Sequence, residues 1–393
     1  MSPVVPLLWS NLAMPQDPRT NRRELLTAAG AAGLAALATS RPAQADTAPS
    51  PGKVYRIGLA SASIGGVPQK TNGHTWHFCH MFHPTVDLDA IKKHLDPGSA
   101  RVFEENFRNP ARNFDQMPFA ETKITHYYDA DPAAAAMFCE AFPGVQPATS
   151  LEQMSQEVDA IWMGDASGRG EDHFDLVAPG LARGLPTFCD KPIGGTVAGT
   201  RKILEFARQH NAPIMSSSLY RHQWGTEEAL RMRDSGEHGP LQYVIASQAG
   251  GWSLPGWVVY GQHPVWMAMT LCGPGVDAVS MYAREAACHA LMTYQDRMPA
   301  EVWYGRPDVA EYCETQVSFA KKTYRWTPAI EGNYWHGHSY QIFRMAHTFL
   351  QMVKTGKEPV PHQEILEVTA VIQAGLKSLE EKSRLVELGE VMG

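Results

Sequence analysis

Lys191 is the residue of this chain whose setting most needs a chemical explanation. It stands in "PTFCDKPIGGT" (186–196), directly after an apolar run of strand length, between Asp190 and Pro192. A proline removes one backbone donor and restricts the residue before it to an extended conformation. The direction of the lysine side chain is thereby set. An ammonium held at the end of a strand can donate hydrogen bonds to a substrate oxygen and stabilise developing negative charge. Its plainer role is a surface pair with Asp190.

Histidine supplies the other candidate chemistry. "HTWHFCHMFHP" spaces His74, His77, His80 and His83 three residues apart, with Cys79 among them. On a helix such a row drifts by roughly 60° per step, so two or three imidazoles at most could meet. Zinc takes three or four ligands. A zinc or other divalent metal site would therefore need another segment, and substrate contacts or plain packing are the competing roles. His173, in "GDASGRGEDHFDL", either lines the same edge as Lys191 or only begins a helix.

These residues need elements to position them. "VYRIGLA" (54–60), "KITHYY" (123–128), "VDAIWM" (158–163), "PTFC" (186–189) and "PIMSSS" (213–218) are runs of strand length. Between them lie helical patterns such as "DPAAAAMFCEAF" and "TVAGTRKILEFARQH", several opening on Asp, Ser or Thr as N-caps. Alternation of this kind predicts right-handed crossovers and a doubly wound parallel α/β sheet. From about residue 220 the rhythm changes. "PLQYVIASQAG", "GVDAVSMYAREA", "EVWYGRP", "DVAEYCETQVSFA" and "KKTYRWTPAIEG" follow one another as strands, which predicts a largely antiparallel second sheet. Two amphipathic helices and a short strand, "RLVEL", close the chain. The expected division is 46–218 for a Rossmann-like domain and 219–393 for an α+β substrate and oligomerisation domain.

A doubly wound sheet binds its ligand beyond the carboxyl ends of its strands. The first strand runs into "SASIGG", where a dinucleotide site would show G-x-G-x-x-G. The chain offers Gly58, Ser61, Ser63, Gly65 and Gly66 instead, ahead of a helix start near Thr71-Asn72-Gly73. These are the candidate phosphate contacts, with an ordinary loop as the other reading. The acid that would hold a ribose hydroxyl is Asp129, unless it caps the next helix, a role open to Asp131 as well. Residues 72–122 then form an insertion between the first two strands.

The leader and the composition bound the setting. "TNRRELLTAAGAAGLAALATSRPAQADTA" carries Arg22-Arg23, a soft apolar run and an A-x-A-like site ending at Ala45. This resembles a twin-arginine signal, expected to leave residues 46–393 exported to the periplasm. A net charge of -7, without a basic stripe, argues against nucleic-acid partners. The apolar run is too short and soft to span a bilayer, so no stable membrane anchor is expected. Six cysteines without a C-x-x-C read as buried free thiols.

The stretch from "VDAIWM" through "DHFDLVAPGLARGLPTFCDKPIGGT" to "SSSLYRH" resembles the family of glucose–fructose oxidoreductase, inositol dehydrogenase and their relatives (Gfo/Idh/MocA). Members carry Glu-Lys-Pro or Asp-Lys-Pro after the fourth strand, a long helix, and an apolar strand running to an Arg. Here these are Asp190-Lys191-Pro192, residues 196–210, 213–218 and Arg221. The resemblance implies tightly bound NAD or NADP, with Asp190 and Pro192 beside it, and a homo-oligomer built through the second sheet. It implies hydride transfer at a hydroxyl carbon of a sugar, polyol or cyclitol. The family's catalytic histidine lies in D-x-G-x-H-x-x-D, and the matching stretch is "VYGQHPVW". Gly261 and His263 fit, while Val259 and Trp266 replace the two acids. His263 is then the base and Lys191 the polarising cation, with Arg221, His173, His336 and His338 towards the substrate. The departures leave as the alternative enzyme a cofactor-free or metal-dependent carbohydrate lyase or hydrolase on the same fold. A non-enzymatic reading is a periplasmic binding protein using the same cleft, which the presence of both Lys191 and His263 speaks against.

Overall fold

Six short strands line up in parallel because helical crossovers return the chain to the same end of the sheet each time. The computed structural model describes residues 52–108, 118–250, 253–327 and 334–393, so the expected leader lies outside the described residues. The strands are β1 (Tyr55–Ser61), β2 (Thr122–Tyr128), β3 (Gln146–Pro147), β4 (Ala160–Gly164), β5 (Thr187–Cys189) and β6 (Ile214–Met215). Their order is β3-β2-β1-β4-β5-β6, with every neighbouring pair parallel. This is the Rossmann order, whose direction reverses between β1 and β4 and leaves a crevice there. β4 is buried at all five positions, as expected of a strand covered on both faces.

Helix α1 (Gly73–Phe82) enters that crevice. Asn72 caps it by accepting a hydrogen bond from the amide of His74. The helix approaches so closely that a Cβ on Gly164 would lie 2.8 Å from the His74 carbonyl carbon. In a G-x-G-x-x-G turn the third glycine permits close packing of helix on strand. Here the missing side chain belongs to the strand. The expected insertion contains α1 and the helices Leu88–His94 and Pro97–Arg108.

The second sheet comprises β7 (Leu241–Ala249), β8 (Val276–Arg284), β9 (Ala287–Tyr294), β10 (Ala300–Gly305), β11 (Glu314–Phe319), β12 (Lys322–Trp326) and β13 (Val386–Glu387). Their order is β12-β11-β7-β10-β9-β8-β13, antiparallel throughout except for β7 beside β10. Burial alternates along β9, so one face carries the core and the other is left more open. α4 (Leu254–Tyr260), α5 (Gln262–Cys272) and α6 (His362–Glu380) pack on or beside the covered face. All eleven residues of α5 are buried. A helix apolar all round shows no 3.6-residue stripe, and "QHPVWMAMTLC" accordingly announces no helix in the sequence. β9 also went unexpected. Among the described residues no helix is long and apolar enough to cross a membrane.

Gly164→Ala should destabilise the protein by about 1–3 kcal/mol through overpacking, read as a lower urea midpoint. An unchanged midpoint would mean that α1 does not dock on β4 as described.

Candidate active site

The site is built on buried carboxyl groups at the ends of β4 and β5. Asp165 and Asp190 are both fully buried, and Lys191 nearly so. Asp190 accepts hydrogen bonds from the Lys191 amide (2.7 Å), the Asp165 amide (3.0 Å) and, within 2.6 Å, meets His74 Nδ1. Asp165 accepts from Gln69 (2.8 Å) and from the amides of Ser167 (3.1 Å) and Gly168 (2.6 Å). Its second oxygen lies 2.9 Å from His173 Nε2, while His173 Nδ1 lies 3.1 Å from the Ile193 carbonyl.

A carboxylate and a carbonyl can only accept, so both His173 nitrogens must carry protons and the ring is an imidazolium. Burial opposes this charge, yet the hydrogen bonds to Asp165 and Cys189 outweigh it and raise the imidazole well above its ordinary range. Burial likewise opposes the Asp165 carboxylate. The His173 hydrogen bond and charge, with the Lys191 charge, outweigh that and hold the carboxyl far below the usual range. His173 begins α2 (His173–Leu181) and is wholly buried. The expectation that it faces substrate is corrected: its position is under the loop, where it neutralises Asp165.

Two glycines close this loop against the next. A Cβ on Gly195 (φ +67°) would lie 2.3 Å from the Arg169 carbonyl, and one on Gly170 (φ +80°) 2.2 Å from the Pro192 carbonyl. "PIGGT" thus packs backbone on backbone before α3 (Val197–Gln209) starts at the Thr196 cap. Lys191 Nζ is left donating to the Ala166 carbonyl (3.3 Å), 5.4 Å from the centre of the Tyr260 ring.

The second half of the site arrives on α4 and α5. The Tyr260 hydroxyl meets Ser167 Oγ at 2.9 Å, tying α4 to the loop after β4. The His263 ring lies 6.1 Å from the same tyrosine, and Tyr220 stands edge-on to it at 4.5 Å. Lys191 and His263 therefore both lie near one aromatic ring. His263 Nδ1 is 2.7 Å from Ser218 Oγ, just beyond β6. The orienting partner that Val259 cannot supply is thus a serine. Val259 itself is buried, and Trp266 receives the Arg221 guanidinium 5.5 Å from its ring. Arg221 pairs with Glu364, so that carboxylate already occupies the arginine expected to meet substrate.

The candidate phosphate contacts separate. Gly65 and Gly66, both at positive φ, form the turn of a small hairpin pairing Ser63-Ile64 with Val67-Pro68. They lead into that hairpin rather than into α1. The Ser63 amide is bound by Asp172 (2.7 Å), and a Cβ on Gly58 would press on Met154 at 3.0 Å. Ser61 does stand at the crevice, accepting from Asn72 Nδ2 at 3.2 Å. Asp129 ends β2, buried beside Tyr127, and burial raises its carboxyl above the usual range. Asp131, not Asp129, caps the following helix.

The histidine row splays, as its spacing requires. His74 turns to Asp190, His77 and His80 pack on Phe103 at 5.4 and 5.3 Å, and His83 meets the Pro143 carbonyl. Burial first, then its histidine neighbours, push His77 down to about 3. Among the described residues no three ligand-type side chains converge as a metal group. His336 and His338 lie at the start of the helix Tyr334–Thr355, and their side chains are outside the described residues. All six cysteines are free.

A nicotinamide dinucleotide fits what remains. The crevice between β1 and β4 receives the start of α1, an acid ends β2, and a lysine ends β5, all at the carboxyl edge. Residues 99–218 match the family described as an oxidoreductase family with an NAD-binding Rossmann fold, GFO_IDH_MocA. Inositol 2-dehydrogenase of Corynebacterium glutamicum (strain R) is 29% identical over 121 residues, which cover 30% of this chain and 35% of that enzyme. The chain thus matches about a third of its curated relatives' length. Among solved structures, an Agrobacterium radiobacter oxidoreductase in complex with NAD+, L-tartaric acid and magnesium matches with TM-score 0.63 at 13% identity, over 86% of this chain and 99% of that one. Scyllo-inositol dehydrogenase of Lactobacillus casei, with bound NAD(H) and scyllo-inositol, matches with TM-score 0.61 at 15% identity, over 86% and 100%. The likeness of those structures is one of fold. The likeness to the Gfo/Idh/MocA family is thus carried by residues 99–218.

Neither Asp165 nor Ser218 stood among the sequence candidates. Asp165 was visible in "GDASG" beside His173, whereas nothing local marks Ser218 as the partner of a residue 45 positions away.

The buried pair makes stability depend on pH. A depressed carboxyl contributes above the usual carboxylate range and loses its contribution on acidification; a raised imidazole contributes fully below about 6.5 and loses its contribution as pH rises through the folded value. The stability lost in His173→Gln, about 3–5 kcal/mol for a broken buried pair, should therefore peak between about pH 4 and 6.5. Urea unfolding across pH checks this, and a pH-independent difference would contradict a charged pair.

Proposed function

We propose that this chain is an NAD-dependent oxidoreductase acting on a hydroxyl carbon of a cyclitol or other polyol, with sugars in the same class. The observation carrying this reading is that Lys191 and His263 both lie near the Tyr260 ring, with Lys191 at the carboxyl edge of a Rossmann sheet. The residues that would hold the dinucleotide are Gly73 at the start of α1, Ser61, and Asp129 towards a ribose hydroxyl. A carboxylate there suits the free 2′-hydroxyl of NAD better than the phosphate of NADP. The cofactor supplies hydride acceptance and return.

The chain's own residues manage the oxygen. Lys191 is fixed by its backbone bond to Asp190 and by its Nζ bond to Ala166, so its remaining donors are aimed before substrate arrives. His263 is fixed through Ser218. Together they bind the reacting oxygen and carry its proton. The alternative of a cofactor-free or metal-dependent lyase or hydrolase drew on the missing G-x-G-x-x-G, Val259 and the histidine clusters, of which the row His74–His83 splays. Export through a twin-arginine leader and association through the open face of the second sheet belong to the same proposal.

Denaturing the purified protein should release near-stoichiometric nicotinamide nucleotide, identified by absorbance and mass. Lys191→Ala and His263→Ala should each lower NAD+ reduction on myo-inositol or scyllo-inositol by about 10²–10⁴-fold with the fold intact. Full activity in either variant, or a protein that neither carries nor binds nucleotide, would overturn the reading.

A further inference from the structure

Ser218 decides which nitrogen of His263 carries the proton. Its side chain is completely buried. A serine hydroxyl has one proton to give and two lone pairs to receive. One lone pair of Ser218 Oγ takes the Tyr220 amide at 3.1 Å, where Ser218 caps the short 3₁₀ turn Leu219–His222. That amide is a donor and cannot take the hydroxyl proton. Among the described residues, the acceptor left for the proton is His263 Nδ1, 2.7 Å away. Buried hydroxyl protons are almost always placed on an acceptor. The hydroxyl accordingly donates to Nδ1, and the neutral ring keeps its proton on Nε2.

A carboxylate in the same place would do the reverse. It can only accept, so it would draw the proton to Nδ1 and leave Nε2 as a bare base. The chain carries Val259 and Trp266 where its family pattern has acids, and both are buried and apolar. Neither can compete with Ser218 for the ring.

We propose that Ser218 is a positioning residue that holds neutral His263 as its Nε2–H tautomer, so that the imidazole meets the reacting oxygen as a hydrogen-bond donor and not as its base. The assignment rests on the oxidoreductase reading for the identity of that oxygen. A neutral imidazole donor of this kind stabilises charge developing on a carbonyl or alkoxide oxygen. The proton then passes between the hydroxyl and Lys191, which takes it as the free amine in oxidation and returns it from the ammonium in reduction; Lys191 is the other group near the Tyr260 ring. The two residues thereby divide the work, one holding the oxygen and the other exchanging its proton.

Histidine-selective ¹⁵N labelling of the full chain and long-range ¹H–¹⁵N correlation read the tautomer directly, without nucleotide or substrate. His263→Gln identifies the signals, which are recorded above the ordinary imidazole range so that the ring is neutral. The wild type should show a protonated-type shift at Nε2 and a bare-type shift at Nδ1. Ser218→Ala should lose this separation towards averaged shifts. Ser218→Asp should invert it, and the signals of buried His173 report in each variant that the fold is kept. Should Ser218→Asp not fold, the wild-type pattern and Ser218→Ala decide alone. A wild type protonated at Nδ1 or at both nitrogens, or a Ser218→Ala spectrum matching the wild type, would overturn the assignment. A missing nucleotide on denaturation would instead sink the oxidoreductase reading and leave the tautomer as measured.

Discussion

A carboxylate with no access to water must be answered by a cation, and at Asp165 this requirement organises the site. Leaving such a charge unpaired is among the costlier things a fold can do. His173 meets it from below as an imidazolium, and the Lys191 charge adds to it from the next strand end. Asp190 then takes the amides of both Asp165 and Lys191, so the two strand ends are held in one register. The glycines at 170 and 195 let the loops beyond those ends touch backbone to backbone. The lysine in "CDKPIGGT" is therefore held by electrostatics behind it and by close-packed main chain beside it.

Such rigidity matters for catalysis because preorganised donors need not reorient as charge develops. The other half of the site obeys the same logic with different means. α5 is buried on every side, so His263 rides on an element with little freedom. Tyr260 closes the arrangement by reaching from α4 to Ser167 while its ring lies near both Lys191 and His263. A single tyrosine thus couples the carboxyl edge of the parallel sheet to the helices of the second.

The parallel sheet was legible because five of its six strands are short apolar runs alternating with helical patterns, so local signals and tertiary outcome agree, while the exposed pair Gln146–Pro147 carries no such signal. Lys191 was legible for a related reason, since proline makes its position unusual over three residues. What stayed hidden is what depends on distant partners. "QHPVWMAMTLC" has no amphipathic stripe, and "ACHALMTY" alternates too weakly in polarity to announce β9. Gly65 and Gly66 look like phosphate-loop glycines in a string of letters, yet their positive φ values serve a hairpin turn. The close-packing glycine sits instead at 164, on the neighbouring strand, where no local motif would place it. His173 and Arg221 are expected from sequence to face substrate, but the acids that claim them, Asp165 and Glu364, are visible only in three dimensions.

The central claim is that one cleft brings the lysine of the first sheet and the histidine of α5 to the same reacting oxygen. A crystal structure of the chain grown with NAD+ tests it most directly. The account predicts the nicotinamide ring within reach of both Lys191 and His263, with its ribose towards Asp129. A dinucleotide bound elsewhere, or a nicotinamide screened from either residue, would contradict it.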